Sequence, residues 1–245
     1  PAGPTVTALQ ARFVFPVTAP PIENGFVVVK NGRIVDVTSD RPDHAEVIEL
    51  NSQNDTTPGG VAIIPGLINA HTHLEFSEHE PPLGTPGMAF PDWIRAVVSS
   101  RRHRPADESL LERQLALAIS HGLSEALYSG TTTVGEIASR DWPPATREKI
   151  STSPTAPGVT IFRELLGLSE DRAATAIADF IAFQSSHRHV SQVGVSPHAP
   201  YSTHREVVAA ACQQAAQAKL PIAMHLAESP EELELLATGE GPFRR

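Results

Sequence analysis

Two histidines two residues apart, His71 and His73, end the apolar run Ile64-Pro65-Gly66-Leu67-Ile68-Asn69-Ala70. That run reads as a buried strand, with Pro65-Gly66 marking where it begins. Successive side chains on a strand point to opposite faces, so His71 and His73 share one face. A pair of imidazoles held side by side on a rigid strand end is half of a metal site. Spacing alone does not separate this pair from two core histidines. The same pattern recurs at His187-Arg188-His189, in a polar stretch that reads as a solvated loop.

His225-Leu226-Ala227-Glu228 offers the complement. His225 ends a second apolar strand and brings the neutral nitrogen donors to three. A fourth position then stays open for water, whose pKa a divalent ion lowers towards ~7. Such chemistry needs a carboxylate that takes a proton and passes it to the leaving group. Glu228, three residues past His225, is placed to do so. The plainer reading makes Glu228 a helix N-terminal residue ahead of Pro230, favoured by the helix dipole. His198 leaves another strand between Pro197 and Pro200. It can bind metal, polarise a substrate, or be a loop histidine. Glu164 can bridge metals, contact substrate or pair with an arginine. The lysines are Lys30, Lys149 and Lys219, none at a strand exit, so no carbamylated lysine is available to bridge two ions. One metal is the expectation.

The elements that must position these groups follow from periodicity. Val6 to Phe15, the hairpin Gly25 to Val37 turning at Asn31-Gly32, and Val47 to Leu50 read as strands. They form a small β unit, residues 1–62, with Asn51 to Gly60 as its linker. From residue 63 to 245 strands alternate with helices. The strands are Ile64–His73, Thr131–Ile137, Val159–Leu166, Val193–His198 and Pro221–His225. The helices run from about Asp92, Asp107, Ala145, Glu170, Arg205 and Pro230. Asp92, Ser169 and either Ser202 or Thr203 are the expected N-caps. Alternation of this kind implies parallel strands joined by helical crossovers, either a doubly wound sheet or a (β/α)₈ barrel. No Gly-x-Gly-x-x-Gly follows a strand, so dinucleotide binding has no support. The polar residues His71, His73, Glu136, Glu164, His198 and His225 all fall at strand exits. Those exits face the mouth of a barrel, where such folds build active sites.

Composition narrows the partners. Net charge is −9, aromatic residues make up 5%, and no basic run is present, which argues against nucleic acid. No apolar stretch is long enough to span a bilayer. Cys212 is the single cysteine, consistent with a reducing, cytoplasmic compartment, and its Ala-rich surroundings suggest a buried helix position.

Four segments now occur together and in order: Pro65-Gly66-Leu67 leading to His71-Thr72-His73, Gly130-Thr131-Thr132-Thr133, His198-Ala199-Pro200-Tyr201-Ser202, and His225-Leu226-Ala227-Glu228. In this the chain resembles the amidohydrolase superfamily. It is most similar to the branch holding cytosine, adenosylhomocysteine and aminofutalosine deaminases and the triazine chlorohydrolases. His71-Thr72-His73-Leu74-Glu75-Phe76-Ser77 looks like the aminofutalosine-deaminase version. The resemblance covers nearly the whole chain. It implies an α/β fold, a (β/α)₈ TIM barrel represented here by about five strands, preceded by part of a small β-sandwich. It implies His71, His73 and His225 as ligands of one divalent ion, zinc or iron(II), with Glu228 as proton shuttle. His198 would be a catalytic contact near the leaving group, and His198, Glu75 and Glu164 would meet the substrate. The family's sixth-strand histidine and eighth-strand aspartate would lie beyond Arg245. Residues 1–245 alone are therefore expected to expose barrel surface. The expected activity is metal-dependent deamination of a purine, pyrimidine or related ring by an activated hydroxide. Chloride or amide hydrolysis at the same site, or a non-catalytic scaffold, are the alternatives. The expected partner is a small molecule, with a homodimer as an option.

Overall fold

The computed structural model describes residues 6–50, 60–103, 105–187 and 192–244. The linker expected at Asn51 to Gly60 falls almost entirely outside them, as do Arg188 and His189. The chain divides into two compact units, Pro1–Gly66 and Leu67–Arg245.

The first unit is all β. Strands β1 (Val6–Gln10), β2 (Phe13–Val14), β3 (Ile22–Glu23), β4 (Phe26–Lys30), β5 (Arg33–Thr38), β6 (Glu46–Glu49) and β7 (Ala62–Ile63) form two sheets, ordered β5-β4-β1-β6 and β3-β2-β7. Asn31 and Gly32 carry φ of 52° and 73° and turn β4 into β5. A two-residue turn of that hand matches the twist of the paired strands. Ala8, Phe26 and Val28 form one small core, and Ala11, Val14 and Val27 another.

The second unit alternates strand and helix: β8 (Leu67–Thr72), α1 (Phe90–Arg102), α2 (Glu108–Tyr128), β9 (Thr131–Ala138), α3 (Pro144–Thr152), β10 (Gly158–Leu165), α4 (Glu170–His187), β11 (Gln192–Pro197), α5 (Arg205–Ala218) and α6 (Pro230–Thr238). Its sheet is wholly parallel, in the order β11-β10-β9-β8. Residues such as Val134, Ile161 and Val195 from the strands and Ile119, Phe180 and Val207 from the helices make one buried core. Among the described residues, no helix is long and apolar enough to cross a membrane.

Several local expectations are corrected. Strand β8 is not buried: Leu67 and Ile68 are 50% and 72% exposed. Residues 221–225 run extended along β11 but form only the bridge Val195↔Ile222, with Val195 N donating to Pro221 O and Ala223 N to Val195 O. Pro221 has no N–H to add to a ladder, which limits the pairing. Helix α1 starts two residues before Asp92, after Ala89, because Pro91 suits a helix's first turn. Helix α5 is capped by His204, whose Nδ1 accepts from Glu206 N, and not by Ser202 or Thr203. Asp107 caps α2, accepting from Ser109 N and Leu110 N. Cys212 is exposed, one position off the buried stripe of Val207, Ala211 and Ala215.

Candidate metal centre

The C-terminal ends of the parallel strands carry the site. His71 Nε2 lies 3.3 Å from His73 Nε2. The His225 ring stands 4.5 Å from that of His71 and 5.5 Å from that of His73, centroid to centroid. One ring nitrogen from each of the three falls within 4.8 Å of the others. Two zinc–nitrogen bonds of about 2.05 Å at a tetrahedral angle would place their nitrogens roughly 3.3 Å apart. Histidines 154 residues apart in sequence meet because Pro221–His225 docks on β11: His225 N donates to His198 O at 2.8 Å.

The electrostatics suit a cation. Burial, then the neighbouring His225, lowers the pKa of His71. Burial, then His71 and His225, lowers that of His73 to about 4. His198 is lowered to about 3, again chiefly by burial and then by His225. These rings are neutral near pH 7, the form that binds metal. His225 Nε2 is buried without a hydrogen-bond partner, and its Nδ1 lies 2.9 Å from Glu228 Oε1. A carboxylate on Nδ1 keeps the proton there and leaves the Nε2 lone pair free for an ion. The donor set and its spacing therefore fit one divalent metal.

Glu228 is held at both oxygens, since Tyr201 Oη donates to its Oε2 at 3.2 Å. Its backbone N–H donates to Glu232 Oε2 at 2.8 Å, and Glu232 is fully buried. Ala227, just before it, adopts φ 60°, a turn that a non-glycine residue seldom makes. His198 stands beside His225 with ring centroids 4.9 Å apart. Its Nδ1 is 2.6 Å from Ser202 Oγ and its Nε2 3.8 Å from Glu164 Oε1. Phe243 stacks on Tyr201 at 4.3 Å and Phe90 meets Tyr201 edge-on, giving an aromatic wall next to Glu228.

The two other acids lie deeper. Arg101 donates to Glu75 Oε1 at 2.6 Å, and Ser139 Oγ to Glu75 Oε2 at 2.8 Å. Arg101 Nη1 also approaches Glu164 Oε2 to 3.6 Å. Both Glu164 oxygens are buried with no hydrogen-bond partner, and burial raises its pKa. Glu164 pairs with Arg101 across the site, whereas the adjacent Arg163 turns away to donate to the carbonyls of Ala138 and Ser139. Sequence reading singled out His71, His73, His198, His225 and Glu228, and the structure brings them together. It passed over Arg101, Tyr201 as a partner of Glu228, and Glu232. Only Glu232 had a local signal, the Ser229-x-x-Glu232 capping pattern.

A parallel α/β unit whose strand ends gather three imidazoles, a carboxylate and a fourth histidine has the make-up of a metal-dependent hydrolase. The profile of the amidohydrolase family matches residues 62–241, and the chain belongs to that family. The aminodeoxyfutalosine deaminase of Deinococcus radiodurans is 30% identical over 188 residues, 75% of this chain and 41% of that protein. The 5-methylthioadenosine/S-adenosylhomocysteine deaminase of Bacillus cereus is 27% identical over 220 residues, 86% of this chain and 47% of that protein. Among solved structures, Helicobacter pylori aminofutalosine deaminase with methylthio-coformycin superposes with a TM-score of 0.74 at 22% identity, covering 97% of this chain and 55% of that one. The chain thus spans about half the length of the relatives it matches.

Proposed function

We propose that this chain carries the metal-binding half of a deaminase acting on a purine-type N-heterocycle. The observation that carries the reading is the approach of His71, His73 and His225 to within 4.8 Å, with Glu228 on His225 Nδ1. Relatives named for aminodeoxyfutalosine and 5-methylthioadenosine/S-adenosylhomocysteine deamination support the substrate class. Residues 67–245 are then the early strands of a (β/α)₈ barrel and the preceding β unit is part of a sandwich. The parallel order of β8 to β11 supports this.

His71, His73 and His225 would hold the ion, and three imidazoles favour zinc, with iron(II) also suited to such ligands. Zinc bound there supplies Lewis acidity that lowers the pKa of water towards ~7. Glu228 takes a proton from the attacking water and returns it to the departing ammonia; Tyr201 and His225 hold its two oxygens for that work. His198, fixed by Ser202, stays neutral and hydrogen-bonds the substrate beside the leaving group. Glu75 and Glu164 form the acidic floor of the substrate pocket, with Arg101 between them. The full-length protein loaded with zinc should release ammonia from 5′-methylthioadenosine, S-adenosylhomocysteine or aminodeoxyfutalosine. Chloride release from chlorotriazines with no ammonia from any of the three would contradict the deaminase reading.

A further inference from the structure

We infer that Glu136 is a positioning residue that sets the aim of the His71/His73 pair from the neighbouring strand. The inference rests on the metal-centre reading above and concerns how the pair is held, not what it binds.

The strand that presents the pair is irregular at the point of presentation. Along β8 and β9, Asn69 faces Val134 but Thr72 faces Glu136, so three steps on β8 are matched by two on β9. An extra residue of this kind bends a strand and re-aims its side chains. It also removes ladder partners: His71 N turns to its own neighbour, Asn69 Oδ1, at 3.2 Å. The close approach needs Gly135, because a Cβ there would stand 2.2 Å from Ala70 O.

Glu136 secures what the bulge loosens. Its side chain is 1% exposed. Its Oε2 lies 3.0 Å from Thr72 Oγ1 and accepts from Leu74 N at 2.9 Å, the two residues that flank His73. Thr72 Oγ1 is also 3.1 Å from Gly135 O, so the hydroxyl is tied to β9 twice. Leu74 opens a short 3₁₀ turn whose N-cap residue is His73, and His73 makes no side-chain capping bond. A cap side chain serves the second or third amide of a turn, so the Leu74 amide, the first, needs an acceptor from elsewhere. The Glu136 carboxyl, on the next strand, supplies that acceptor while the His73 imidazole faces His71. Without it Leu74 N, on a residue 5% exposed, would lose its acceptor.

The test is a zinc titration of the full-length protein against a chromogenic chelator, with the thermal midpoint of the metal-free protein measured alongside. Glu136→Gln keeps a carbonyl oxygen in place and should bind zinc within about threefold of wild type. Glu136→Leu removes the acceptor and should weaken binding at least ~10-fold, the scale for losing a group that orients ligands. Thr72→Val removes one of the two contacts and should weaken it a few-fold, which carries the test if Glu136→Leu does not fold. A merely structural role predicts lower midpoints with zinc affinity unchanged in Glu136→Leu, or in Thr72→Val, and that result would overturn the inference. Wild-type protein that fails to bind zinc would instead overturn the metal centre itself.

Discussion

Glu228 sits where two demands meet. It meets His225 at Nδ1, three residues along the chain, and under the proposed function it also exchanges a proton with substrate. Glu228→Gln separates the demands, because the amide keeps an acceptor for His225 but cannot shuttle a proton. Metal content and substrate affinity should stay near wild type while turnover falls at least ~10²-fold. Turnover within a few-fold of wild type would leave Glu228 with an orienting role alone. Glu136 makes a second residue-scale prediction. Burial, which outweighs the amide of Leu74 and the hydroxyl of Thr72, raises its pKa from 4.5 to about 8. Its protonated form therefore favours the fold. That contribution is fully present below about pH 4.5 and is lost as pH rises towards 8. In urea unfolding of metal-free protein, the wild type should lose stability between pH 5 and 8 relative to Glu136→Gln. Parallel curves would count against it. His73 and His198, with lowered pKa values, act in the opposite sense below pH 6.5, equally in both proteins. Of this site, the histidines and Glu228 were legible because alternation and short spacings fix which side chains share a face. Tyr201 and Arg101 were not, since their roles come from contacts between segments distant in sequence, whereas Glu232 lies four residues from the Glu228 amide it holds and carried a local capping signal.

At the scale of elements, the strand–helix alternation was legible and the helix starts less so. Asp92 looked like a cap, but Pro91 cannot occupy a helix interior and moved the start upstream. His204 displaced Ser202 and Thr203 because Ser202 Oγ is engaged with His198 and Thr203 Oγ1 with Leu165 O. The exposure of β8 was not legible either, because an apolar run says nothing of what covers it. Ser229 caps α6 through Glu232 N at 3.2 Å. Ser229→Ala should cost about 1 kcal/mol of stability in chemical denaturation. It should leave bound metal unchanged, since Glu232 still holds the Glu228 amide. Loss of metal in that variant would show that the cap, not Glu232, fixes the turn.

For the whole molecule, the parallel order β11-β10-β9-β8 places the ends of four strands, and the segment after Pro221, on one side. A second parallel strand needs a crossover, and helices α2 to α4 provide it between successive strands. That topology is what brings residues as far apart as His71 and His225 to one place, where the proposed function has them share one ion. Elemental analysis of the full-length protein tests this most directly. We expect about one equivalent of zinc or iron per chain, lost in His71→Ala and in His225→Ala and retained in His187→Ala. Two equivalents per chain, or metal retained at wild-type level in His71→Ala, would contradict a single ion held by His71, His73 and His225.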